Sequence, residues 1–121
     1  MNKILIIDDD PRNIFALVAV LKTKKYSCLT ASSAEQGIRM LLQQDIGIVL
    51  MDMMMPDMDG YQAIAEIRKN DAINRIPIVA VTAQAMVGDR EKCLAAGADA
   101  YISKPIDIDI LVDVLSHYLS T

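Results

Sequence analysis

The sequence predicts an α/β fold, a doubly wound sandwich in which a parallel sheet is covered by helices on both faces. Short apolar runs alternate with segments of helical period along the whole chain, the βα repeat of such a sheet, and five units can be counted. Several runs also end in a reactive side chain, among them Asp52, Thr82 and Lys104, and the carboxyl ends of strands are where α/β sheets do their chemistry. With 121 residues the expectation is one domain covering 1–121. Apolar residues make up 53% of the chain, slightly above the usual ~45–50%, so a sizeable core is available. With no Trp and a single Phe, Ile, Leu, Val, Met and Ala must fill it.

The first strand runs from Lys3 to Ile7 and ends in Asp8-Asp9-Asp10. Pro11 follows, and Asp before Pro starts a helix well, because the carboxylate accepts from open amides while Pro at N1 forfeits no hydrogen bond. Asp10 therefore reads as a cap rather than a ligand. Ile14, Leu17, Val18 and Leu21 recur at i, i+3, i+4 and i+7, one stripe facing the sheet. A short second strand covers 27–30. Ser33 caps the next helix, with Gln36 at capping-box spacing and a stripe of Ala34, Ile38, Leu41 and Leu42.

The third strand, 46–51, runs out at Asp52. Gly60 opens the third helix, with Ile64 and Ile67 inward and Glu66, Arg68 and Lys69 outward. The fourth strand, 76–81, ends in Thr82. The fourth helix is predicted over 87–96, stopping at Gly97, a typical C′ glycine. The segment 101–105 forms the fifth strand and delivers Lys104. Asp107 then starts a helix carrying Leu111, Val114, Leu115 and Tyr118 inward. No linker, low-complexity segment or further repeat interrupts the pattern.

Charge and cysteine content narrow the function. A net charge of −4 and a pI near 4.8 argue against direct nucleic-acid binding, which needs clustered Lys and Arg. No apolar stretch approaches the roughly 20 residues of a membrane-spanning helix, and the start, Met1-Asn2-Lys3-Ile4, runs into a strand without a signal peptide. A cytoplasmic location without membrane insertion is the expectation. Cys28 and Cys93 are 65 residues apart and read as apolar fillers, not a disulfide or metal pair.

The strand ends gather Asp8, Asp9 and Asp52, the Thr82 hydroxyl and the Lys104 ammonium. Three close carboxylates repel one another, and such a cluster is tolerable only with a cation or with raised pKa values. Hard oxygen donors without His or Cys point to Mg2+, with Mn2+ able to substitute, and to a phosphoryl group as the other ligand.

Five parts stand in order: Asp8-Asp9; Asp52 with Met55-Pro56-Asp57-Met58-Asp59-Gly60 downstream; Thr82-Ala83; Tyr101; and Lys104-Pro105. In these the chain resembles a response-regulator receiver domain of two-component signalling, over essentially all its length. The resemblance implies a flavodoxin-like (βα)5 sandwich of strand order 2-1-3-4-5, whose right-handed crossovers bring the site residues to one edge. It implies that Asp52 is the phosphoacceptor, attacking phosphorus in line, and that Asp9 and Asp52 bind the metal directly, Asp8 through water and Met54 by its backbone carbonyl. Lys104 and Thr82 would hold the phosphoryl oxygens, and Thr82 and Tyr101 would form the switch. Met54 and Gln84 would flank the path of the hydrolytic water. Ala83 is either room for the phosphoryl group or simply a small core residue.

The stretches 10–17 and 83–93 look most like receivers fused to hybrid sensor histidine kinases. The implied partners are a histidine kinase or histidine phosphotransfer domain and a fused or separate output, with a homodimer through helix 4, strand 5 and helix 5 as one arrangement. The expected contact surface is that same face, or helix 1, with Val112 and Leu119 as apolar side chains the sheet cannot cover. Such a chain is not an enzyme by itself, although it would promote its own phosphorylation and dephosphorylation; a parent hybrid kinase would be one.

Other readings weigh less. Asp8-Asp9-Asp10 also fits the Asp-x-Asp signature of haloacid-dehalogenase phosphatases, with Asp8 as nucleophile and Asp10 as general acid, though those enzymes usually carry a cap over the site. A receiver relative that has lost phosphorylation would not be expected to keep every matched residue. Met53-Met54-Met55 reads as packing, because no Cys or His supports a soft metal. Asp57-Met58-Asp59-Gly60 fails as an EF-hand, because Met55 stands where an oxygen ligand is required. No Ser/Thr/Gly-rich phosphate loop follows strand 1, which excludes flavin. His117, the single histidine, lies in the last helix away from the acids.

Overall fold

The computed structural model describes residues 3–83 and 86–119. Ten elements alternate: β1 (Lys3–Ile7), α1 (Pro11–Thr23), β2 (Ser27–Ala31), α2 (Ala34–Gln43), β3 (Ile48–Asp52), α3 (Gly60–Lys69), β4 (Ile78–Thr82), α4 (Asp89–Ala96), β5 (Ala100–Ser103) and α5 (Ile108–Tyr118). The strands pair in parallel in the order β2-β1-β3-β4-β5. This is the doubly wound arrangement read from the sequence. No described helix is long and apolar enough to cross a membrane.

Alternate strand residues point to opposite faces, and two cores result. Leu5, Ile7, Val49, Met51 and Ala80 meet Leu41, Ile64 and Ile67 of α2 and α3. Ile4, Ile6, Ile48, Leu50 and Val79 meet Leu21, Leu111 and Leu115 of α1 and α5. Burying each of the Ile, Leu, Val and Met side chains among these contributes about 1.5–3 kcal/mol. Every residue of β3 and β4 is buried, including the terminal Asp52 and Thr82. The polar ends of the central strands are thus held by the most deeply packed part of the sheet.

Caps fix the helix starts. Asp10 accepts from the Arg12 amide at 2.9 Å, with Pro11 at the first helical position. Asp59 and Gln62 form a complete capping box on α3, which the sequence reading did not identify. The box at α2 is displaced by one residue: Ser33 accepts from the Gln36 amide, but the Gln36 side chain accepts from the amide of Ser32 rather than of Ser33.

Four sequence expectations are corrected. Leu42 is half-exposed, and Gly37 takes its place against the sheet because the helix passes so close to Ile7 that a Cβ would collide with that side chain. α4 begins at Asp89, not at 87, because Gly88 adopts a left-handed φ of 86° and Val87 lies fully in solvent. Arg68 does not point outward. It folds back and donates to the carbonyls of Gly97, Asn74 and Ile76 and to the Asp99 carboxylate, tying three chain segments together. Leu119 is buried in the α1/α5 core, and the exposed apolar residue of α5 is Ile110.

Candidate functional site

Strand register sets the site. Ile7 pairs with Met51, so Asp8 and Asp52 leave β1 and β3 at the same height. Asp52 pairs with Val81, which sets Thr82 one residue further on. Thr82 pairs with Ser103, and the next amide, that of Lys104, donates to the Thr82 carbonyl at 2.8 Å. The topology thus brings Asp8, Asp52, Thr82 and Lys104 to one edge, with Asp9 beside them.

Asp8, Asp9 and Asp52 each offer an oxygen, and the three atoms lie within 4.8 Å of one another. Asp8 is 7% exposed, Asp52 5% and Thr82 2%, whereas Asp9 is exposed. The backbone aims the two buried carboxylates: Asp8 Oδ1 accepts from the Asp10 amide at 2.9 Å and Asp52 Oδ1 from the Met54 amide at 3.0 Å. Lys104 Nζ lies 3.6 Å from Asp8 Oδ2 and 3.8 Å from Asp52 Oδ1. These separations exceed the 2.7–2.9 Å of a direct charge-assisted bond, so the ammonium hovers over both acids without being committed to either.

One ammonium does not neutralise three carboxylates. Burial raises the Asp52 pKa above the ordinary carboxylate range; the Met54 amide pulls it down, Asp8 pushes it up and Lys104 pulls it down, and the net direction is upward. An excess of negative charge on hard oxygens in a buried setting is what a divalent cation relieves, and the donor set fits Mg2+ or Mn2+.

The other predicted residues are distributed as follows. Met54 is 49% exposed at the rim, between the buried Met53 and Met55, in keeping with packing roles for those two. Ala83 is exposed, so it is not a core filler, and it lines an apolar cavity of about 560 Å3 between α1 and the start of α5. Asn13, Ala16, Leu17, Pro105, Ile106 and Ile108 form its walls, and Asp8 and Lys104 open onto it. Gln84 lies outside the described residues. Tyr101, in β5, donates its hydroxyl to Asp89 Oδ2 at 3.0 Å.

Asp10 is absorbed in capping and is not in the acidic cluster, which removes the general acid a dehalogenase-type phosphatase would need. His117 is exposed and packs edge-on against the Tyr118 ring. Cys28 and Cys93 are free thiols on opposite faces of the sheet.

Two features escaped the sequence reading. The apolar cavity depends on how α1 and α5 come together, which no local pattern encodes. Asp89 accepts from both Tyr101 and, at 3.4 Å, Tyr61.

Comparisons with known proteins agree with this geometry. The family model described as the response regulator receiver domain matches residues 4–116. The sensor histidine kinase RcsC of Salmonella typhimurium is 37% identical over 115 residues, 95% of this chain but 12% of that protein, so the chain spans about an eighth of such relatives. Protein PilH of Pseudomonas aeruginosa is 31% identical over 99% of both chains. The receiver domain of the sensor histidine kinase PA1611 from Pseudomonas aeruginosa, solved with a magnesium ion coordinated in its active-site cleft, superposes with a TM-score of 0.87 at 36% identity, covering 96% of this chain and 95% of that one.

Proposed function

The chain belongs to the response regulator receiver family and is a receiver domain of two-component signalling, and from that premise we propose that Asp52 is its phosphoacceptor. The observation that carries the reading is the triad of Asp8, Asp9 and Asp52 within 4.8 Å, with Lys104 suspended over two of them.

Asp8, Asp9 and Asp52, with the backbone carbonyl of Met54, are the residues that would hold Mg2+, for which Mn2+ can substitute. The ion, when bound, supplies charge neutralisation on the phosphoryl oxygens. Asp52 needs no general base once ionised. Its carboxylate oxygen attacks phosphorus in line, the P–N bond to a donor histidine breaks as the O–P bond forms, and an aspartyl phosphate results. The Met54 amide orients the attacking carboxylate. Lys104 follows charge from the carboxylates to the phosphoryl oxygens, and the Thr82 hydroxyl donates to one of them. Ala83 leaves room for the group, and Met54 and Gln84 border the approach of the water that later hydrolyses it. The domain thereby promotes its own phosphorylation and dephosphorylation.

The donor is a histidine on a kinase or phosphotransfer domain, and the apolar cavity beside Lys104 supports an approach between α1 and α5. The signal leaves through protein contact in the cytoplasm, when Thr82 moves toward the phosphoryl group and Tyr101 turns, remodelling α4, β5 and α5; the output is fused or separate, with dimerisation through that face as one form of it. A parent hybrid kinase would supply the catalytic activity.

Labelling with radioactive acetyl phosphate tests the central claim. Wild type incorporates label only with Mg2+, and Asp52→Asn incorporates none. Equal labelling of that variant, or labelling indifferent to a chelator, overturns it.

A further inference from the structure

The α4 helix is anchored unequally at its two ends. Its C-terminal end is pinned: Arg68 donates twice to the Gly97 carbonyl, at 3.1 and 2.7 Å, and the Ala98 amide bonds back to Cys93. Its N-terminal end is held through side chains. Gly88 caps it without a side-chain bond, and Cys93 is the one buried residue in eight. Side-chain bonds tie that end down through Asp89, whose Oδ2 accepts from Tyr101 of β5 at 3.0 Å and whose Oδ1 accepts from Tyr61 of α3 at 3.4 Å. One turn on, Cys93 Sγ lies 3.6 Å from the Tyr61 hydroxyl, and Lys92 Nζ stands 4.6 Å over the Tyr61 ring.

We propose that Asp89 is a positioning residue of the switch: shared between Tyr61 and Tyr101, it latches Tyr101 to the N-terminus of α4 and so opposes phosphoryl binding at Asp52. The inference rests on the reading that Tyr101 turns on activation. For Tyr101 to turn toward Thr82 its hydroxyl must leave Asp89, and α4 then loses the β5 half of its tether while its Arg68-pinned end stays fixed. Whatever stabilises the latched form must weaken, by the same factor, any ligand that requires the released form. Tyr61 holds Asp89 in place for Tyr101, so it acts through the carboxylate rather than on the site.

Beryllofluoride with Mg2+, a phosphoryl mimic, tests this by titration into wild type, Asp89→Ala, Asp89→Asn, Tyr101→Phe and the Asp89→Ala/Tyr101→Phe double variant, read by site amides and the Tyr101 ring resonances. Loss of a hydrogen bond to a charged acceptor predicts that Asp89→Ala binds the mimic at least about tenfold more tightly. Asp89→Asn, which keeps an acceptor and the side-chain shape, shifts affinity in the same direction by less. The ligand-free Tyr101 ring in Asp89→Ala moves toward its position in the liganded wild type, and the tightening disappears in the Tyr101→Phe background. Wild-type affinity in both Asp89 variants, or equal tightening without the Tyr101 hydroxyl, overturns the latch. Failure of the parent readings shows in wild type alone: no Mg2+-dependent binding removes the phosphoacceptor, binding with an unmoved Tyr101 ring removes the switch, and either outcome removes the latch with it.

Discussion

Met54 serves Asp52 with its backbone and not with its side chain: the amide donates to Asp52 Oδ1 at 3.0 Å, while the thioether stands half in solvent at the mouth of the site. On the proposed reading, a water that approaches the aspartyl phosphate past this residue finds no strong hydrogen-bonding group on its side chain. Met54→Asn supplies one and leaves the amide in place. One net hydrogen bond of about 0.5–1.5 kcal/mol corresponds to roughly a twofold to tenfold faster dephosphorylation. The decay of the labelled protein measures it, and an unchanged rate removes the argument.

Gly60 is fixed by close approach. A Cβ there would stand 2.7 Å from Met53 Cα, a backbone atom that cannot swing aside, and would run into the Met53 sulfur as well. Because Gly60 opens α3 directly behind the loop that follows Asp52, Gly60→Ala should displace that loop. Overpacking of this kind costs about 1–3 kcal/mol. Chemical denaturation should show the loss, together with slower acetyl phosphate labelling; full stability would mean that the loop yields freely.

The Asp52 carboxyl has a raised pKa in the metal-free fold, first because of burial. A carboxyl whose folded pKa lies above its unfolded value contributes stability that is fully present below the unfolded pKa and lost as pH rises through the folded value. At neutral pH the ionised group is therefore a burden that a neutral amide of the same shape lacks. Metal-free Asp52→Asn should melt a few degrees above wild type at pH 7, with the gap closing toward pH 4. Mg2+ should raise the wild-type melting temperature more than that of the variant. A variant that melts lower than wild type at pH 7 without metal contradicts the account.

The sequence disclosed most of this site because strand ends are local features. A buried apolar run that stops at Asp8, Asp52 or Thr82 places a polar group at the sheet edge whatever the helices do, and parallel register then aligns the edges. What stayed hidden depends on contacts between distant segments. Arg68 reads as an outward residue by helical period, yet the carbonyls of Asn74, Ile76 and Gly97 converge on it. Leu42 fits the α2 stripe by spacing, but the close passage of Gly37 over Ile7 rotates the buried face away from it. At α5 the same kind of error exchanged Leu119, which is buried, for Ile110, which is exposed. The two-tyrosine arrangement around Asp89 draws on α3, α4 and β5 at once, and no window of sequence contains it.

The apolar cavity between α1 and α5 separates two routes to Asp52. A small phosphodonor needs only the edge of the sheet, whereas a donor histidine that approaches between α1 and α5, as proposed above, would bring its own surface against Ala16, Leu17, Pro105 and Ile108, which line the cavity. Ala16 is exposed on α1, so Ala16→Glu leaves the core intact and sets a charge where an apolar partner surface would close. An unpaired charge in an interface costs at least about 1 kcal/mol, roughly fivefold or more in affinity. Transfer from a phosphorylated histidine phosphotransfer domain should slow by that factor at subsaturating donor, while labelling by acetyl phosphate stays at the wild-type rate. Ile110→Lys, on the exposed side of α5 and away from the cavity lining, is the control that should leave transfer unchanged. Slowing by Ile110→Lys with none from Ala16→Glu would move the donor to the α5 face and leave the cavity without a role in phosphotransfer.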